Sequence, residues 1–184
     1  MVFKLLNQQF IRIYWFYKYQ VARLQSKNKS LKVLNNSSHI KNILVMCYGN
    51  IYRSPLVSSY LKSHLTDDYV IESAGFYPKS GRKSADDYIE LVKEFGIDLS
   101  NHHSTCVDKN MLDWADHIII MDGKNYKLSM LLNNNIESKL IWLGAISSNG
   151  IKEIEDPYSK SIDEQLIIVK QLISSCDDYI SLIK

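Results

Sequence analysis

Cysteine, proline and glycine are scarce in this sequence. Of 184 residues, three are cysteine, three are proline and seven are glycine. The cysteines, at positions 47, 106 and 176, are odd in number and far apart, which argues against a disulfide framework. No CxxC pair or histidine cluster offers the ligands of a metal site, and so little Gly and Pro leaves no room for a long flexible linker. These absences indicate one domain without metal in a reducing, cytoplasmic setting.

Acidic residues are absent from the first 40 positions. Those positions carry seven of the 22 Lys and Arg residues, so the other 15 stand against all 20 Asp and Glu residues. This asymmetry indicates a basic, aromatic-rich N-terminal extension with its connector, residues 1–40, on a mildly acidic domain, residues 41–184. The acidic domain offers no extended basic face, which argues against a nucleic acid partner.

The extension lacks an uninterrupted hydrophobic run and a signal-peptide cleavage site, which argues against a transmembrane span or a secretion signal. Its apolar residues recur at the spacing of an amphipathic helix. They are Phe3, Leu6, Phe10, Ile13, Tyr17, Val21 and Leu24. Two interpretations of residues 1–25 stay open: peripheral contact with an anionic membrane surface, or docking on the domain or on another subunit. The following stretch, SKNKSLKVLNNSSH, is interpreted as a polar connector.

Apolar strands alternate with helical patterns in residues 41–184, which predicts an α/β domain with a parallel sheet covered on both faces. The predicted strands are NILVMC, YVIESAG, HIIIMD and SKLIWLG. The predicted helices are Pro55–Leu65, a helix capped by Ser84 that runs to Phe95, a helix near Asn125–Leu132, and Ile162–Ile183. Sites in such sheets lie at the carboxyl ends of strands, where Cys47 is placed.

The stretch CYGNIYRSP, residues 47–55, joins the first strand to a helix. If its backbone N–H groups point inward, with Gly49 in a conformation closed to other residues, they form an anion-binding nest. A cysteine thiol beside such a nest of N–H groups loses its proton readily, and the resulting thiolate is a nucleophile. Arg53 has the planar fork that grips two phosphate oxygens, and Ser54 can hydrogen-bond to the sulfur. The stretch therefore predicts displacement at phosphorus through a cysteinyl-phosphate.

A leaving-group acid is also required by this chemistry. The stretch EDPYSKS offers Asp156 in the loop before the last helix, with Tyr158 beside it. Cys-x5-Arg alone is a weak signal, and Asp-Pro-Tyr alone is usually a turn. Together, and in this strand-to-helix context, they make Cys47, Arg53 and Asp156 the candidate catalytic residues.

These residues resemble the bacterial low-molecular-weight protein tyrosine phosphatases, whose loop reads Cys-x-Gly-Asn-x-Cys-Arg-Ser-Pro. The similarity extends through SAG, GIDLSNH, ADHIIIMD and DPY, across about residues 41–184. It implies a single domain with a four-stranded parallel sheet, helices on both faces, no cofactor, and hydrolysis of phosphotyrosine in proteins. By analogy it also implies opposition to a membrane-bound tyrosine kinase of surface-polysaccharide export, at the inner face of the membrane.

The resemblance gives the matching residues their roles. Cys47 is the nucleophile, Arg53 binds phosphate, Ser54 assists the thiolate, and Asp156 acts first as acid and then as base. The rest of the phosphate loop is Tyr48, Gly49, Asn50, Ile51 and Tyr52.

Three further residues match a hydrogen-bond network that holds the family's loop in shape: Asn50, Ser73 and His102. Tyr48 and Tyr158 match the substrate rim, and the position of Tyr48 is one that varies with substrate preference.

One position departs from the family. Where the family often has a second loop cysteine, which pairs reversibly with the first, this chain has Tyr52. The resemblance thus implies that Cys47 lacks this protection against over-oxidation. Cys106 and Cys176 are interpreted as structural, and Asp122 as a helix cap.

Two alternatives to a phosphatase stay open. Arsenate reductase shares the loop and fold, but it needs two more redox cysteines close together, and Cys106 has no such partner. A non-catalytic phosphotyrosine-binding or membrane-scaffold protein needs no leaving-group acid, so Asp156 argues against that alternative.

Overall fold

Four parallel strands form the centre of the molecule in a computed structural model that describes residues 2–36 and 39–184, with side chains from residue 9 onward. The strands are β1 (Asn42–Cys47), β2 (Val70–Gly75), β3 (His117–Ile120) and β4 (Leu140–Trp142). Their order in the sheet is β2-β1-β3-β4. This confirms the predicted four-stranded parallel sheet and places the carboxyl end of β1 at the middle of one sheet edge.

Seven helices surround the sheet within the described part of the chain. They are α1 (Val2–Asn36), α2 (Arg53–His64), α3 (Asp86–Lys93), α4 (Lys109–Trp114), α5 (Gly123–Leu132), α6 (Leu143–Ile146) and α7 (Ile162–Ile183), with a 3-10 turn at Asn134–Lys139. None of these described helices is both long and apolar enough to cross a bilayer. The predicted α/β class and the N-terminal helical extension are confirmed.

Strand β1 shows why the sheet needs a helical layer on each face. Ile43 and Val45 lie in the core on one face, and Leu44 and Met46 lie in the core on the other, all with no exposed surface. A strand buried on both faces is typical of a parallel sheet. The layers comprise α2, α3 and α7 on one face and α4, α5 and part of α1 on the other.

Several element ends differ from the predictions by one or more residues, and two of these differences are informative. Ala85, not Ser84, is the residue before α3, and the buried Ser84 hydroxyl has no hydrogen-bond partner among the described residues. The fourth strand stops at Trp142, because the chain turns directly into α6. The predicted bounds of α7 are confirmed, since Ser161 forms a capping box that starts the helix at Ile162.

The predicted polar connector is wrong for its described residues up to 36, because α1 continues to Asn36. Ser26 and Ser30 are buried, and the Ser30 hydroxyl accepts a hydrogen bond from Trp142 N at 3.0 Å. Because these side chains are small, the helix lies close to edge strand β4, and the Ser30 hydroxyl can reach an N–H group of that strand. Tertiary packing thus overrides the low helix propensity of a Ser/Asn-rich stretch. Ser37 and Ser38 lie outside the described residues.

Two opposite faces of α1 have different surroundings. The docking face, which contacts the domain, includes Tyr19, Ala22, Ser26 and Ser30. The predicted apolar stripe lies on the opposite side at 3.6 residues per turn, and its described members are exposed: Phe10, Ile13, Tyr17, Val21 and Leu24. The side chains of Phe3 and Leu6 lie outside the described residues. The helix therefore docks on its own domain without using the predicted apolar stripe.

A buried histidine predicts how stability depends on pH. His117 is fully buried on β3, with Nδ1 2.8 Å from Tyr179 Oη. Burial, weakly opposed by Asp116, lowers the His117 pKa from 6.5 to about 4. Between these values the unfolded chain binds the proton and the folded chain does not, so stability falls as the pH drops. We expect a loss of about 3 kcal/mol from this group between pH 7 and pH 4.

Urea unfolding of the wild type and of His117→Gln measures this contribution. The difference between the two unfolding free energies should shrink as the pH falls from 7 towards 4. The exposed His103 provides the matched control, and His103→Gln should leave the pH dependence unchanged. A His117→Gln difference that is constant over this range would contradict the assignment.

Candidate active site

The loop after β1 encloses the sulfur of Cys47. Sγ accepts a hydrogen bond from Asn50 N at 3.2 Å and lies 3.1 Å from Ser54 Oγ. Because α2 begins at Arg53, the positive end of its dipole lies beside the loop. The structure therefore brings Ser54 to the sulfur, as expected.

Asn50 holds the loop in shape. Its Nδ2 donates to Ser54 Oγ at 2.9 Å and to Ser73 Oγ at 3.0 Å, while its Oδ1 accepts from Thr105 N at 2.7 Å. Its backbone oxygen lies 2.8 Å from His102 Nε2. Since a carbonyl only accepts, Nε2 carries the proton. The structure thus brings together Asn50, Ser73 and His102, and adds Thr105, which the sequence did not indicate.

Burial lowers the pKa of His102, although its hydrogen bond to the Asn50 carbonyl opposes the shift. The contact needs a proton on Nε2, which the neutral and the charged imidazole can both supply, and the lowered pKa favours the neutral form at pH 7. His102 therefore supports the loop without adding a charge next to it.

The predicted conformation of Gly49 is wrong: the left-handed residue of the loop is Asn50, with φ of 51°. Asparagine tolerates this region better than most residues, and its side-chain and backbone contacts fix it there. Gly75 is required behind it, because a Cβ at that position would lie 2.8 Å from Asn50 N.

Arg53 is buried and bound by two carboxylates. Nη1 donates to Asp122 Oδ2 at 2.6 Å and to Ile154 O at 3.0 Å, and Nη2 donates to Asp156 Oδ2 at 2.6 Å. Nε has no partner among the described residues. Burial alone would lower the Arg53 pKa, but the charges of Cys47, Asp122 and Asp156 outweigh it and raise the pKa. The Arg53 guanidinium therefore stays protonated.

Asp122 has a second role that sequence reasoning missed. It caps α5, as predicted, because Oδ1 accepts from Asn125 N at 2.8 Å. Its other oxygen binds Arg53. Nothing in the local sequence indicates this pair, since the two residues are brought together only by the fold.

A cleft of about 410 Å³ opens above Cys47. Asp156 and Tyr158 line one side, and Tyr48 lies on the loop itself, so the structure places both predicted rim residues at the cleft. Three further residues line the cleft: Tyr77, Arg82 and Lys124. Arg82 stacks on Tyr77 at 4.1 Å and also donates to Gly49 O, while Lys124 Nζ lies 3.2 Å from the centre of the Tyr48 ring.

Tyr52 is accommodated in an aromatic cluster at the wall of the cleft. Its ring packs edge-on against Tyr88 at 4.6 Å and Tyr158 at 6.3 Å between ring centres. Its bulk is therefore taken up by contacts with these two rings. Cys176 is buried in α7 and Cys106 is exposed; both are free, as is Cys47. The described residues contain no group of His, Cys, Asp and Glu suited to a metal ion.

Thiol, guanidinium and carboxylate meet at one sheet edge in the arrangement by which cysteine-dependent phosphatases bind and cleave phosphate esters. The family model described as low molecular weight phosphotyrosine protein phosphatase matches residues 42–184, and the chain belongs to this family. It is thus a hydrolase of the protein-tyrosine phosphatase class. Helix α1 lies outside the matched residues.

Named relatives agree with this assignment. The chain is 32% identical over 123 residues to a probable low molecular weight protein-tyrosine-phosphatase, EpsP, of Ralstonia solanacearum, covering 67% of this chain and 82% of EpsP. It is 35% identical over 125 residues to the probable phosphatase AmsI of Erwinia amylovora, covering 67% and 84%. The crystal structure of AmsI superposes with a TM-score of 0.74 at 27% identity, covering 79% of this chain and 95% of AmsI.

Proposed function

We propose that this chain hydrolyses phosphotyrosine in proteins with Cys47 as nucleophile, Arg53 as phosphate ligand and Asp156 as acid and base. One observation carries the assignment: Cys47 and Asp156 line the same cleft, and Arg53 binds Asp156 while its charge interacts with the Cys47 sulfur. A phosphate held by the loop N–H groups and the Arg53 fork lies between nucleophile and acid.

In the first step, the Cys47 thiolate attacks phosphorus, and the S–P bond forms as the bond to the tyrosine oxygen breaks. Protonated Asp156 gives its proton to that oxygen, so tyrosine leaves neutral. Nη2 of Arg53, which binds Asp156 in the structure, turns to a phosphate oxygen and frees the acid. Nε, which has no partner among the described residues, supplies a second donor.

In the second step, the Asp156 carboxylate takes a proton from water, and the water oxygen attacks phosphorus. The S–P bond breaks, phosphate leaves, and Cys47 returns to the thiolate. Ser54 Oγ, 3.1 Å from the sulfur, stabilises the thiolate as leaving group. Asn50, Ser73 and His102 hold the loop in the shape that both steps need.

Aromatic walls favour an aryl phosphate. The cleft above the buried sulfur is lined by Tyr48, Tyr52 and Tyr158, which can contact both faces and the edge of a tyrosine ring. We expect wild-type enzyme to cleave a phosphotyrosine peptide at least about 100-fold faster than matched phosphoserine or phosphoarginine peptides. Equal rates, or thiol-dependent reduction of arsenate without phosphatase activity, would contradict this function.

We propose further that α1 brings the enzyme to an anionic membrane surface, where a membrane-bound tyrosine kinase of surface-polysaccharide export supplies its substrate. The support is the exposed apolar stripe, which the docking of α1 leaves uncovered. Lys18 lies beside the stripe, and residues 1–40 contain seven basic residues and no acidic residue. Apolar contact combined with positive charge is the basis of peripheral binding to anionic lipid.

Vesicle co-sedimentation tests the membrane contact. Deletion of residues 1–40 would remove buried Ser30, Val33 and Leu34, so substitution is preferable. We expect the triple variant Phe10→Ser, Ile13→Ser, Tyr17→Ser to partition at least about tenfold less onto anionic vesicles than wild type, because three exposed apolar side chains lose their lipid contact.

The control replaces three exposed apolar residues elsewhere, Leu131→Ser, Ile167→Ser and Leu182→Ser, and should bind vesicles like wild type. Equal binding by all three proteins would contradict the membrane proposal. Concentration-dependent dimers of wild type that the stripe variant alone loses would favour self-association through residues 1–25 instead.

A further inference from the structure

A second groove, of about 370 Å³, lies between α1 and the first turns of α5. Arg12 and Trp15 line it from α1, and Lys124 and Lys127 line it from α5. Lys124 also lines the catalytic cleft, so the two are adjacent. A polypeptide that places one residue in the cleft can continue into the groove across Lys124.

The lining of this groove is basic and contains no carboxylate. Arg12, Lys124 and Lys127 form no ion pair with any residue in the described ranges. Residues 41–184 as a whole hold more acidic than basic residues. Three uncompensated cations beside the cleft of an acidic domain are a local concentration of positive charge that attracts an anionic ligand.

The floor of the groove is fixed by contacts to a nearby carboxylate, that of Glu153. Tyr19 packs over Gly123, where a Cβ would lie 1.9 Å from its ring, and its hydroxyl donates to Glu153 Oε2 at 3.0 Å. Glu153 also accepts from Arg23 Nε at 3.1 Å and from Gly123 N at 2.6 Å. Both Glu153 oxygens thus accept hydrogen bonds from other groups. Glu153 therefore does not pair with Arg12, Lys124 or Lys127, and these three cations can bind a ligand.

We propose that this groove binds acidic residues that flank the phosphotyrosine of a protein substrate. The inference rests on the proposed function, because the phosphotyrosine in the catalytic cleft fixes where its neighbours lie. Carboxylates of those neighbours pair with Arg12, Lys124 and Lys127, and Trp15 contacts their methylene groups. Helix α1, which lies outside the matched family residues, thus contributes to substrate preference.

Two phosphotyrosine peptides of equal length test the proposal, one with three Glu on each side of the phosphotyrosine and one with Gln at the same positions. Each exposed ion pair contributes a few-fold, so we expect wild type to favour the Glu peptide by about tenfold in kcat/KM at low salt. The preference should approach unity at 0.5 M NaCl, since salt screens exposed charges. The double variant Arg12→Gln, Lys127→Gln should lose it while hydrolysing p-nitrophenyl phosphate like wild type.

A matched double variant, Lys109→Gln, Lys170→Gln, removes the same charge at exposed positions outside both cavities. This control variant should keep the preference for the Glu peptide. If it loses as much of that preference as the Arg12/Lys127 variant, the effect is a long-range field and the groove proposal is wrong.

Equal cleavage of the two peptides by wild type overturns the groove inference and leaves the proposed function standing. No turnover of any substrate overturns the proposed function with it. If the Arg12/Lys127 variant keeps its peptide preference but loses vesicle binding, the groove contacts lipid instead.

Discussion

Replacement of Cys47 by serine is expected to lower kcat for aryl phosphates by about 10⁴-fold or more, the scale seen when a covalent nucleophile is removed. A serine hydroxyl stays protonated and is a far weaker nucleophile than the thiolate, so its attack on phosphorus is slow. The loop N–H groups and Arg53 are unchanged, and inorganic phosphate should therefore still bind. Steady-state kinetics and phosphate titration by calorimetry measure the two effects separately.

The control for this prediction is the exposed Cys106. Cys106→Ser should keep wild-type kcat and KM, because Cys106 does not line the cleft. Substantial turnover by Cys47→Ser, or an equal loss in Cys106→Ser, would place the chemistry elsewhere.

Asp156→Asn is expected to lower kcat/KM, which reports the first chemical step, by about 10²- to 10³-fold with phenyl phosphate, whose leaving oxygen needs a proton. The loss should be much smaller with p-nitrophenyl phosphate, whose leaving group is stable as an anion. An amide cannot deliver a proton but preserves the size of the side chain. Rates with a series of substituted phenyl phosphates measure the dependence on the leaving group.

Asp122→Asn is the matched control, since Asp122 and Asp156 each accept from Arg53 at 2.6 Å. If only Asp156 is the acid, Asp122→Asn should slow all these substrates by a similar factor, through the position of Arg53. The same leaving-group dependence in both variants would show that Asp156 acts only through Arg53.

The structure could be predicted best from the sequence where a single local pattern determines an element. The alternation of apolar strands with helices gave the sheet, and the strand-to-helix stretch around Cys47 and Arg53 gave the loop. Asn50 shows where a local rule failed, because glycine at 49 was the expected left-handed residue. Asn50 adopts that conformation instead, bound by Ser54 and by three residues remote in sequence: Ser73, His102 and Thr105. The family resemblance had already indicated Ser73 and His102, whereas the contact with Thr105 becomes known only once the fold is known.

Contacts between segments that are remote in sequence could not be predicted for the same reason. The pair of Arg53 with Asp122 joins α2 to the turn before α5. The docking face of α1 was missed because Ser26 and Ser30 are polar, although their small size is what allows close packing on β4. The aromatic cluster around Tyr52 likewise depends on Tyr88 and Tyr158.

The most direct test of the proposed mechanism is to trap the phosphorylated enzyme. Asp156→Asn should react with p-nitrophenyl phosphate in a burst of about one nitrophenol per chain, because the first step needs little acid while hydrolysis of the intermediate needs the base. After millisecond quenching and proteolysis, mass spectrometry should locate the phosphoryl group on Cys47. Steady turnover without a burst, or a phosphoryl group on any residue other than Cys47, would contradict the mechanism.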